Sequence, residues 1–231
     1  VLVSDFVLRI SGFWILMSPL DPNEISLYRE ADKIPPEYWE ELSRHSPEEV
    51  CRRSLVTHDP ETGYALPFLD DRLLCRPDTR HLQWEKDPER SPGFQEALVA
   101  LIYLLRAREI PLAGIKVNEK ELNGGALFFR GPHALSKEPL EKKFARDPQG
   151  FLQAGLTLGG IATKQGDGAF ELRALPRIPL EYIFYAEDDE FPAQLIITFD
   201  RTIDRHLPLD VIWALVNITT RSILKAGNVG A

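Results

Sequence analysis

Hydrophobic positions return every three to four residues over 94–108, where Phe94, Leu98, Leu101, Ile102 and Leu105 share one face behind Ser91-Pro92. That spacing predicts a core helix. A second stripe, Ile212, Leu215, Val216, Thr219 and Ile223, follows His206-Leu207-Pro208 and predicts a helix over 209–224 that closes toward Gly227. Shorter helices are predicted at 37–44, with Tyr38, Trp39 and Leu42 on one side, and at 47–55, opened by Ser46 as N-cap, Pro47 in the first turn and Glu49 as a capping-box partner. Two more follow at 138–145 and 148–158, the second capped by Asp147 and stopped by Gly159-Gly160. Aromatic and β-branched runs predict strands at 169–175, 180–185 and 194–199, the last two joined across the acidic loop into an antiparallel pair. Residues 64–69 and 72–76 flank Asp70-Asp71 as a hairpin after the turn signal Asp59-Pro60-Glu61-Thr62-Gly63, and Pro67 and Pro77 assign its arms to sheet edges. The glycine turn Leu122-Asn123-Gly124-Gly125 leads into a short apolar strand, 126–129.

These elements predict an α+β fold: one domain over 37–231, with a mainly antiparallel sheet packed against the two long apolar helices. Residues 1–36 are expected to be a lead-in. The stretch 18–36 is polar with four prolines and reads as extended chain. Residues 1–16 are apolar apart from Asp5, Arg9 and small polar residues, lack a basic leader pattern, and are shorter than the ~18 residues that span a bilayer. Because the chain opens on Val and its one methionine is Met17, they are expected to be an upstream extension, with a strand or helix docked on the core as the alternative.

Composition narrows the function classes. With 231 residues, 44% hydrophobic and 27% charged, the chain can bury a sizeable core, which excludes disordered, collagen-like and polytopic membrane classes. Lys and Arg number 27 against 35 acidic residues, a net charge of -8, the wrong balance for gripping nucleic acid. Cys51 and Cys75 have no paired spacing, so no disulfide framework or thiolate cluster is expected and a reducing cytoplasm fits best.

Candidate chemistry is sparse. The run Glu187-Asp188-Asp189-Glu190 reads as a solvated turn or, in competition, as a cation or acid–base site built on Asp188 and Glu190. Asp200, at the end of an apolar strand, either caps the following turn, pairs with Arg201 or Arg205, or binds a ligand. At ~3.3 Å per residue the strand parts Asp200 from the acidic loop by about 20 Å, so one cation cannot see both. The hairpin instead brings Asp200 near Glu181 and 177–179, where Arg173 or Arg177 could neutralise it. Asp167 between two glycines reads as a turn residue that also leaves room for a ligand to approach the backbone. Phe128-Phe129-Arg130-Gly131-Pro132-His133 could line a pocket for a planar or anionic group, against the plainer reading of a buried strand ending in an exposed Arg130. The five histidines have no metal-ligand spacing, no nucleophile elbow occurs, and the glycine pairs do not open helices as phosphate cradles do.

Read in order, Leu122-Asn123-Gly124-Gly125, Leu158-Gly159-Gly160, Gly166-Asp167-Gly168, Pro179-Leu180-Glu181-Tyr182, Asp189-Glu190-Phe191-Pro192-Ala193 and Phe199-Asp200 resemble an uncharacterised family, domain of unknown function 3786. The likeness runs over 47–224. The resemblance implies a bacterial or archaeal setting, often anaerobic, and no activity to carry over; the appended iron–sulfur module of some relatives is excluded here by the two isolated cysteines. The leading expectation is a cytoplasmic accessory module that binds a small molecule, cofactor or protein partner, its cofactor unnamed. Candidate ligand contacts are Arg130, His133, Asp167, Asp188, Glu190 and Asp200, with no metal site, nucleic acid or membrane span expected. The competing expectation is an enzyme in which Asp188, Glu190 or Asp200 works with Arg130, Arg173 or His206 in a pocket assembled by the fold.

Overall fold

The structure is a computed structural model and describes residues 6–10, 13–17 and 34–229. Strands β1 (Phe6–Ile10) and β2 (Phe13–Met17) pair antiparallel, with Phe6 opposite Met17. The polar lead-in predicted at 18–36 lies outside the described residues as far as position 33. Helices α1 (Pro36–Arg44) and α2 (Pro47–Ser54) follow, each with proline in its first turn. Ser46 makes no side-chain bond to α2, so the capping box expected there does not form. On α3 (Phe94–Arg106) the N-cap is Gly93, which has no side chain to offer, and only the returning half of such a box is made, Glu96 Oε2 accepting the Gly93 amide at 2.8 Å.

Four strands, β3 (Thr57–Asp59), β4 (Gly63–Phe68), β5 (Asp71–Arg76) and β6 (His81–Trp84), form one antiparallel sheet in that order. The arms of the predicted hairpin are therefore interior strands, a correction to the edge assignment. Pro67 is tolerated because the β3 ladder ends at Ala65, so no neighbour seeks its missing N–H, and Pro77 lies past the end of β5. Asp59 Oδ1 accepts the amides of Glu61 (2.8 Å) and Thr62 (3.0 Å), and Gly63 at φ 80° presses so close to the Cys75 carbonyl that a β-carbon would not fit.

The second sheet runs β7 (Lys116–Val117), β11 (Gln194–Asp200), β10 (Ile178–Tyr185), β9 (Gly168–Leu175) and β8 (Ile161–Ala162), also antiparallel throughout. Leu180 faces Phe199 and Tyr185 faces Gln194, so the acidic loop and Asp200 occupy opposite ends of the hairpin, as its register requires. Phe170, Leu172, Leu180, Tyr182, Phe184, Leu195, Ile197 and Phe199 alternate onto the buried face. Helix α6 (Pro148–Thr157), capped by Asp147 on the Gly150 amide at 2.8 Å, lies on β9, with the Phe151 ring 4.9 Å from both Phe184, on which it stacks, and Phe170, to which it is tilted. Past the single turn α7 (Ile203–His206), helix α8 (Leu209–Val229) reaches the same face through a hydrogen bond between Thr219 Oγ1 and Tyr182 Oη. Helix α3 is buried nearly all round, as a helix in the middle of a core must be, and packs on α1, α2 and α8. The two sheets meet where the Leu69 amide donates to the Ala174 carbonyl at 3.0 Å. This is an α+β fold with an antiparallel sheet on two long apolar helices, as the sequence predicts. No helix among the described residues is long and apolar enough to cross a membrane.

Two elements depart from expectation. The strand predicted at 126–129 is a single helical turn, α4 (Gly125–Phe128), started by Gly124 at φ 78° and closed by the Phe129 amide on the Gly125 carbonyl, so this glycine pair does open a helix, against the reading from sequence, though one of only four residues. Its Leu127 is 77% exposed, so the run is not the buried strip that its composition suggests. Gly227 does not end α8; it lies within the helix against the Phe144 ring of α5 (Glu138–Phe144), where any side chain would collide.

Candidate functional site

The residues nominated from sequence are placed in separate regions. Asp188 is exposed and folds its own loop, Oδ1 accepting the amides of Glu190 (2.9 Å) and Phe191 (2.7 Å), bonds that lower its pKa. Glu190 is exposed beside it. Asp167 Oδ2 accepts the Ala186 amide at 2.8 Å and so ties the preceding turn to the end of β10. His133 is buried against Phe128, ring centroids 4.7 Å apart, and Trp213, at 5.8 Å, which lowers its pKa, while Arg130 is exposed.

Asp200 is 3% exposed, and its carboxylate accepts the amides of Ala113 (3.0 Å), Gly114 (2.8 Å) and Thr202 (3.0 Å) and the Thr202 hydroxyl (2.6 Å). Burial pushes its pKa up, but these bonds outweigh it and hold the group below the usual carboxylate range. The neutralising arginine expected here is absent, because backbone amides do that work. Arg173 donates to the Pro176 carbonyl instead, and Arg177 to the carbonyls of Arg53 (2.7 Å), Ile110 (3.1 Å) and Arg52 (3.3 Å). The structure does bring His206, 1% exposed, into the electrostatic reach of Asp200. Its Nδ1 accepts the Arg108 amide at 3.2 Å. Burial, then the charges of Arg177 and Arg108, lower its pKa to about 4, partly opposed by Asp200. Asp188 and Glu190 do not join this corner. Among the described residues no group of three or more His, Cys, Asp or Glu could hold a metal ion.

A cleft of about 320 Å3 opens elsewhere, between the first sheet, the start of α3, the end of α6 and α8. The β4–β5 turn contributes Leu69, Asp70 and Asp71 to one wall; Trp84 at the end of β6 and Phe68 of β4 form an aromatic floor, edge to face at 5.6 Å. Arg90 lays its guanidinium 4.7 Å over the Trp84 ring and pairs with Glu96 in the first turn of α3. The opposite wall is a stripe of α8 at helical spacing, Ile218, Ser222 and Lys225, beside Leu158 at the end of α6. Asp71 Oδ1 accepts the amides of Arg72 (2.7 Å) and Lys86 (3.1 Å), and Asp70 pairs with Lys86 at 3.2 Å. The Trp84 indole N–H is buried and has no acceptor among the described residues.

None of the nominated residues lines this cleft. Asp70-Asp71 was legible only as a turn, and nothing in the sequence singled out Ser222 or Lys225; their convergence depends on tertiary contacts.

The family described as Domain of unknown function (DUF3786) matches residues 46–222. The chain belongs to that family. The matched DUF3786 region takes in both sheets and the cleft lining except Lys225 and Ala226. No curated protein and no solved structure matches the chain.

Proposed function

We propose that this DUF3786 chain is a cytoplasmic ligand-binding accessory module of anaerobic metabolism, and that the cleft between the first sheet and helices α6 and α8 is its binding site. The cleft carries this reading: about 320 Å3 lies in the range of small-molecule sites, and an aromatic and aliphatic floor rimmed by charged groups is how such sites combine grip with orientation. Asp200, by contrast, is fully engaged by the chain's own amides and hydroxyl, and His206 faces Arg108, so the reading does not draw on them. The anaerobic setting is what the resemblance read from the sequence implies, and two free thiols fit a reducing compartment.

Native mass spectrometry of protein isolated without oxygen, followed by a screen of metals, nucleotides, corrinoids and small metabolites against 15N-tryptophan-labelled protein, tests it. A retained molecule, or a shift of the Trp84 indole resonance, is expected. A bare chain whose Trp84 resonance is unmoved by every probe overturns the proposal.

A further inference from the structure

The charged groups around the cleft differ in whether the chain already satisfies them. Asp70 pairs with Lys86, Asp71 accepts two backbone amides, and Glu96 is shared by Arg90 and the Gly93 amide. Those charges are compensated in place. Three lining groups are not. Among the described residues the Asp87 carboxylate and the Lys225 ammonium are exposed with no side-chain partner, and the buried Trp84 indole lacks an acceptor although its residue is only 3% exposed.

Two opposite, unspent charges therefore stand over one apolar floor. An anionic ligand would answer Lys225 and be repelled by Asp87; a cationic one would do the reverse. A molecule carrying both signs answers both. We propose, resting on the cleft being a ligand site, that the ligand is a small zwitterion of the amino-acid class with an apolar body. Its ammonium faces Asp87, its carboxylate faces Lys225, and its body lies on Phe68, Trp84 and Ile218.

Three probes of matched shape test the class: L-phenylalanine, 3-phenylpropanoate, which lacks the amine, and 2-phenylethylamine, which lacks the carboxylate. Binding is followed by calorimetry and by the Trp84 indole resonance, assigned with Trp84→Phe. The expected result is binding of phenylalanine at least about tenfold tighter than either truncated probe, one charge-assisted contact being lost in each. Asp87→Asn and Lys225→Met, both at exposed positions that leave the fold intact, are each expected to weaken phenylalanine about tenfold and to narrow its advantage over the probe lacking the corresponding group. Equal or tighter binding of a truncated probe, indifference to both substitutions, or no binding by any of the three overturns the zwitterion assignment. The cleft reading fails separately, only when the broad screen leaves the Trp84 resonance unmoved.

Discussion

At His206 the fold holds an imidazole neutral at a pH where a free one takes up its proton. Its folded pKa of about 4 lies below the ~6.5 of an unfolded chain, so between these values the unfolded state binds a proton that the native state refuses. Stability is therefore intact above pH 6.5 and falls as the pH drops toward 4, by on the order of 1–2 kcal/mol at pH 5. Urea denaturation from pH 7.5 to 4.5 should show that decline, and His206→Asn should flatten it; an unchanged slope in the variant would assign the titration elsewhere. Asp200 acts in a lower window. Its folded pKa is depressed, so its contribution is present above ~4 and is lost as pH falls through the folded value. Asp200→Ala strips the acceptor from three amides and a hydroxyl and is expected to cost about 2–3 kcal/mol at pH 7, read from the same denaturation curves. The capping role that the sequence assigned to this residue is visible in the Thr202 bonds. The longer reach to Ala113 and Gly114 is not, because nothing local announces a loop 87 and 86 positions away in the chain.

Between elements, single side chains do much of the fastening. Tyr103 of α3 donates its hydroxyl to the Ser54 carbonyl at the end of α2 (2.8 Å) and accepts the Arg177 amide of the β9–β10 turn (3.1 Å). Tyr103→Phe should destabilise by about 1–3 kcal/mol, since a buried carbonyl and a buried amide both lose their partner. Gly155 of α6 sits so close on the Phe170 ring that Gly155→Ala forces the helix off β9, an expected loss of about 1–3 kcal/mol, part of which Phe170→Leu should restore. Additive losses in the double variant would show that the ring is not the obstacle. The elements legible in the sequence are those long enough to display a period or flanked by a clear turn signal: α1, α2, α3, α5, α6, α8 and the strands β4, β5, β9, β10 and β11. Strands β3, β7 and β8, two or three residues each, carry no period at all and exist because a neighbouring strand offers a ladder. α4 was misread because four apolar residues suit either conformation, and no adjacent strand was there to decide for β.

Across the molecule one apolar cluster runs from α1 to α8 and includes residues of both sheets. Cys75 lies fully inside it, and burial pushes its thiol well above the usual range; Cys51 is half-buried and pushed up by the same cause. An aromatic disulfide reagent at pH 8 is thus expected to modify Cys51 slowly and Cys75 only at the rate of unfolding. Rapid reaction of both would contradict the enclosure. The cleft is a property of this scale, assembled from β4, β5, β6, α3, α6 and α8. No window of sequence holds enough of it to be recognised, which is why every residue nominated in advance lies elsewhere.

Leu69 borders that cleft, and its amide donates to Ala174 where the sheets meet. Hydrogen–deuterium exchange at this one position therefore times the parting of the seam: a molecule lodged beside it should slow the exchange, while amides on the far side of β10 keep their pace.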